Sequence, residues 1–121
     1  MLKPADQKDV DFDSFFTHIL AHEITHGLGP HATTVDGKES TPRQDLKETY
    51  STIEEAKADI TGLYVLDVMM GKGQLKNTLG QGEAAERKLY TTFLASAFRT
   101  LHFGLTDSHA RGMAILSLIH I

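Results

Sequence analysis

The stretch THILAHEITHGLG, Thr17 to Gly29, sets three histidines and one glutamate along about three turns of a helical pattern. Phe12, Phe15, Phe16, Ile19, Leu20 and Ile24 recur at helical spacing, which predicts a helix from about Asp13 to His26. Asp11 or Asp13 can accept a backbone N–H at its start, and Gly27 can take the left-handed conformation at its exit. His22 and His26 are four residues apart and so stand one turn above each other on the same face. Their ring nitrogens can converge on one cation, and neutral imidazole is a good zinc ligand. Glu23 completes H-E-x-x-H, angled to address the metal's water rather than to ligate, where it can serve as the general base. The same spacing also fits a solvated helix face carrying a pH-sensitive histidine pair.

His18 extends the ladder by one rung, but three rungs cannot share one ion. Two turns separate the Cβ atoms of His18 and His26 by ~11–12 Å, whereas zinc–nitrogen bonds are ~2.0–2.1 Å. The pair His22/His26 encloses Glu23, while His18/His22 encloses only Ile19, Leu20 and Ala21. His18 is therefore read as a neighbour, and a third ligand must come from elsewhere.

TIEEAKADI, residues 52–60, can supply it. Glu54 and Glu55 lie on a second predicted helix, and Asp59 follows Glu55 by four residues on the same face. One carboxylate completes an open three-ligand set. Another can accept the N–H of a liganding histidine, fixing its tautomer. Ala56, Ala58 and Gly62 keep the backbone nearby small enough for a close approach of the two helices. An acidic helix start is the competing reading, since Ser51-x-x-Glu54 is also a capping box.

Outward from these motifs the chain reads as mainly α, with about four helices and no strand pattern. A polar loop covers about Leu28 to Gln44, and the second helix runs from Lys47 or Ser51 to Met70, stopped by Gly71 and Gly73. GKGQLKNTLGQG, residues 71–82, is a connector with room for one helical turn. A third helix spans Glu83 to Phe103, ended by Gly104, and a fourth begins after Thr106 or Asp107. The 121 residues suit one domain, residues 1–121 forming a single helical segment. Scattered basic residues and a net charge of −4 argue against a nucleic-acid surface. The lack of cysteine excludes disulfides and thiolate metal sites. Neither a secretory signal nor a run of the ~20 apolar residues needed to span a bilayer is visible. The expectation is a soluble, cytoplasmic protein with no membrane partner. The closing run RGMAILSLIHI stays apolar without a capping glycine or polar tail, which suggests part of a longer chain.

HEITHGLGPH followed by LKETYSTIEEAKADITGL resembles the dipeptidyl peptidase III family of metallopeptidases, bacterial relatives included. The likeness covers about Asp11 to Val68 well and the remainder more loosely. It implies zinc bound by His22, His26 and Glu55, with Glu23 as base and Glu54 and Asp59 as outer acids. Many members of that family have one more residue in the first motif, H-E-x-x-x-H. The family enzyme is also several times longer, with a two-lobed cleft and substrate-binding residues upstream. The chain thus looks like the helical zinc-binding subdomain of a glutamate-type zinc metallopeptidase, with the remainder of the catalytic lobe missing. The family also has a downstream histidine that stabilises the transition state, and DSHARG offers His109 for that role, with Arg111 nearby. His31 can face a cleft or sit in a loop, and His102 and His120 are read as structural.

The resemblance implies zinc-dependent release of dipeptides from the N-termini of short peptides. Two alternatives keep the metal: an endopeptidase or amide hydrolase with the same core, and a truncated zinc-binding segment without catalysis.

Overall fold

The computed structural model describes residues 2–119, so His120 lies outside the described residues. Five α-helices carry the fold: α1 (Phe12–Thr25), the short α2 (Pro42–Leu46), α3 (Tyr50–Gly71), α4 (Glu83–His102) and α5 (Ser108–Ile119). The expected mainly helical fold is borne out. No helix among the described residues is long and apolar enough to cross a membrane.

α1 starts where Asp11, in an extended conformation, accepts the backbone N–H of Ser14 at 2.9 Å. The Asp11 N–H is in turn given to Thr92 Oγ1 of α4 at 3.0 Å, fixing the start of α1 against that helix. α1 and α5 each pack against both α3 and α4, bridging them from two sides. A small apolar core of Ala21, Leu66, Met70, Leu79, Ala85 and Leu89 closes the end where α3 passes into α4. Leu75 and Leu79 reach this core from the connector, which makes one turn closed by Leu79 N–H to Leu75 O at 2.8 Å.

Several expectations need correction. The loop after α1 holds a β-hairpin, β1 (Thr33–Val35) antiparallel to β2 (Lys38–Ser40), with Thr33 opposite Ser40. Asp36 and Gly37 both have positive φ, which is what a two-residue hairpin turn of the right twist requires. Gly29, not Gly27, is the left-handed residue after α1. α3 is preceded by Thr49 with no side-chain cap, so the Ser51/Glu54 capping box does not form. The largest difference concerns the face of α1. Its buried residues are Ser14, His18, Ala21, His22 and Thr25, while Phe12, Phe16, Leu20 and Ile24 are exposed.

That inversion follows from how closely α1 meets α3. A Cβ built on Gly62 would stand 3.0 Å from the His22 backbone nitrogen and 3.2 Å from the Ala21 carbonyl carbon. At that range no side chain fits between the two backbones, and the polar residues of α1 beside the crossing pair with groups of α3. Two stability outcomes are expected. Gly→Ala inside a helix ordinarily stabilises by ~1 kcal/mol. Gly62→Ala should instead destabilise by ~1–3 kcal/mol, the cost of overpacking, in urea denaturation. Gly71→Ala, with nothing within 4 Å of the new methyl, is the control and should not destabilise.

Asp11→Ala should cost ~1 kcal/mol through the lost cap. The hydrogen bond from the Ser14 N–H holds the Asp11 carboxyl below its ordinary pKa. Its contribution is therefore present above the ordinary aspartate value and fades as pH falls through the lowered one. Denaturation curves of wild type and variant should converge at acid pH.

Candidate metal centre

Both chemistry-bearing motifs lie at the α1–α3 contact. His22 is buried in the last turn of α1, whereas His26 is the residue just past α1 and is part-exposed. His22 Nδ1 lies 2.8 Å from Asp59 Oδ1, and His26 Nδ1 lies 3.0 Å from Glu54 Oε1. A carboxylate only accepts, so each imidazole donates through Nδ1, and in the neutral ring that leaves Nε2 as a bare acceptor.

Those two bare nitrogens are 3.0 Å apart. Glu55 Oε2 lies 3.2 Å from His22 Nε2 and 3.7 Å from His26 Nε2. It is also buried and accepts no hydrogen bond. With both rings neutral, three lone-pair donors face one another with no hydrogen between them, an arrangement that costs energy unless a cation lies among them. In a tetrahedral zinc site with bonds of ~2.0–2.1 Å, neighbouring donor atoms are ~3.3 Å apart. The observed spacings bracket that value, so this donor set fits a divalent metal of zinc's size and softness.

His109, at the first turn of α5, brings Nδ1 to 3.0 Å from the same Glu55 Oε2. His22, Glu55 and His109 offer ligand atoms within 4.8 Å of one another, a second triad sharing two members with the first. The triad through His26 is the better metal cradle. Its two imidazole nitrogens are 3.0 Å apart and the His26 ring is tethered by Glu54, whereas the His109 side chain is 55% exposed.

The other expected residues are placed as follows. Glu23 is exposed on α1 and makes no side-chain hydrogen bond. Asp59 is buried, its Oδ2 without a partner, and its backbone carbonyl lies 3.3 Å from His18 Nε2. Burial holds the His18 imidazole below its ordinary pKa despite the opposing pull of Asp59, so His18 is neutral and donates to that carbonyl. Its ring stands edge-on to Phe93 of α4, 4.9 Å between centroids, well outside the donor cluster. Arg111 bonds the Leu105 carbonyl, His31 is exposed in the loop, and His102 stands edge-on to Phe103.

Two residues escaped the reading of the motifs. Thr25, buried inside H-E-x-x-H, donates to the His22 carbonyl at 2.9 Å and can also reach the Ala58 carbonyl of α3 at 3.1 Å. Nothing in its sequence position signals this. Lys57 sits 2.6 Å from Glu54 Oε1, a pairing its three-residue spacing does signal. Burial alone would raise the Glu54 carboxyl, but the hydrogen bonds from Lys57 and His26 outweigh it and hold Glu54 below the usual carboxylate range.

No family model matches the chain. A curated relative, Nudix hydrolase 3 of Arabidopsis thaliana, is 47% identical over 107 residues, which cover 88% of this chain and 13% of the relative. The solved structure of dipeptidyl-peptidase III from Corallococcus sp. strain EGB is 54% identical with a TM-score of 0.83, covering 93% of this chain and 20% of its own. DPP III from Caldithrix abyssi is 41% identical with a TM-score of 0.82, covering 95% of this chain and 21% of its own. The chain therefore spans about a fifth of the solved relatives and less of the curated one. The resemblance drawn from the two motifs is borne out in sequence and in fold, and all three relatives bear the names of enzymes.

If the three acceptors form a metal site, zinc should stabilise the folded chain. At about a hundred times its dissociation constant it should add up to ~2.7 kcal/mol. Thermal unfolding with zinc and with excess chelator checks this. An unchanged melting temperature, or an equal zinc-induced rise in His22→Ala, would count against the site.

Proposed function

We propose that this chain is the zinc-bearing helical segment of a longer catalytic lobe, and that the complete protein is a metallopeptidase releasing dipeptides from the N-termini of short peptides. The observation that carries the reading is the convergence of His22 Nε2, His26 Nε2 and Glu55 Oε2, three acceptors that lack a hydrogen among them. The likeness to two dipeptidyl-peptidase III structures supports the substrate class. The exposed apolar residues of α1 suit a segment that more of the same lobe would cover.

His22, His26 and Glu55 would hold the zinc, which supplies Lewis acidity: it polarises a carbonyl and brings the pKa of water down to ~7. Asp59 and Glu54 hold the two imidazoles by Nδ1, so that each presents Nε2 to the same point. Glu23, exposed and engaged by no other side chain, takes a proton from the attacking water and returns it to the leaving amine. His109, whose Nδ1 lies 3.0 Å from Glu55 Oε2, would donate to the oxygen on which negative charge develops.

The decisive variant is Glu23→Gln in the complete protein. It should bind zinc as the wild type does while kcat falls by about 10²–10⁴, the usual share of a general base. Undiminished turnover would remove Glu23 from that role. Peptides with a free amino terminus should be cleaved and N-blocked ones spared. Equal cleavage of both would redirect the proposal to an endopeptidase or amide hydrolase.

A further inference from the structure

We infer that Lys57 is a positioning residue for the metal centre, holding His26 by its backbone and, through Glu54, by its ring. The inference rests on the reading that His22, His26 and Glu55 bind the metal. His22 needs no such help, being within α1, buried and paired with Asp59. His26 differs. It follows the last residue of α1, where the helix's final carbonyls have no partner within the helix, and its ring is more exposed.

Lys57 reaches this loose end from α3. Its Nζ lies 2.8 Å from the Leu28 carbonyl and 3.5 Å from the His26 carbonyl. The same ammonium lies 2.6 Å from Glu54 Oε1, the oxygen that also accepts from His26 Nδ1 at 3.0 Å. An ammonium has three donors and no acceptor, and here all three have a partner in this corner. A cation near a helix C-terminus is also favoured by the aligned peptide dipoles. One side chain thus ties the backbone of His26, the acid that orients its ring, and the loop that leaves the motif. Lys57 also sets a positive charge against Glu54, one of the carboxylates gathered at this centre.

The test is zinc affinity, measured by competition with a chromophoric chelator on the full-length protein, together with the melting temperature of the metal-free form. Lys57→Met keeps the aliphatic stem and removes the donors. It should weaken zinc binding about 10–100-fold, the usual cost of losing an outer partner of a ligand. The metal-free melting temperature should move little, and Lys57→Arg should retain most of the affinity. Should the methionine variant not fold, Lys57→Gln gives the same comparison. Wild-type affinity in Lys57→Met, with or without a lower metal-free melting temperature, overturns the positioning role and leaves the metal reading standing. A wild type that binds no zinc overturns both.

Discussion

The rest of the structure depends on two backbones meeting at Gly62, where α3 comes so near the His22 peptide that a methyl group would collide with it. Side chains from one helix must reach the other with good geometry, and short carboxylates do so only across a narrow gap. Ala56 and Ala58 are buried on the same helix, and Gly112 lets α5 approach α3 in the same manner, a Cβ there lying 3.3 Å from the Ala56 nitrogen. Small residues thus draw three helices together around His22, Glu55 and His109. Wider spacing would leave Glu55 short of both imidazoles.

Such closeness reverses the usual arrangement of an amphipathic helix. α1 turns Ser14, His18, His22 and Thr25 inward, and buried polar groups are costly unless paired. Ser14 is paired with Asp11, His18 with the Asp59 carbonyl, His22 with the Asp59 carboxylate and Thr25 with the His22 carbonyl or, across the gap, that of Ala58. Among the described residues, the buried side-chain oxygens without a hydrogen-bond partner are Glu55 Oε2 and Asp59 Oδ2, both at the candidate metal centre. A network satisfied everywhere else and open at one carboxylate corner is what a cation site looks like before its charge is counted.

The chemistry was more legible in the sequence than the packing. Helical spacing alone aligns His22 with His26 and Glu55 with Asp59, because a four-residue step on a helix returns to the same face whatever surrounds it. Two helix ends were legible too, since Gly73 and Gly104, both with positive φ, follow α3 and α4 as local backbone preferences dictate, although Gly71 is still part of α3. The inward face of α1 was not. Phe12, Phe16, Leu20 and Ile24 form the stronger periodic signal, and a rule that buries apolar residues selects them over histidines and a serine. The hairpin was hidden for a different reason: its strands are three residues each and largely polar, and only the Asp36-Gly37 pair marks it. Lys57 was overlooked because its partners include two carbonyls of another element, which no side-chain pattern encodes.

The relatives carry two activity names, and the difference bears on what this segment does. The match to the Nudix hydrolase spans 13% of that protein, so its name describes a whole of which this segment is a minor part. The same holds, at 20% and 21%, for the dipeptidyl-peptidase structures. Neither name can be transferred by overlap alone, because function resides in a site and not in a share of length. What distinguishes them is which chemistry the matched residues themselves could serve. Paired imidazoles with their protons turned outward, one buried carboxylate and a free glutamate beside them are suited to gripping a soft divalent ion and moving a proton. That set of groups offers three donor atoms to a metal from within this segment. It does need a surrounding lobe to choose a substrate, which is why the peptidase reading rests on the site first and on the names second.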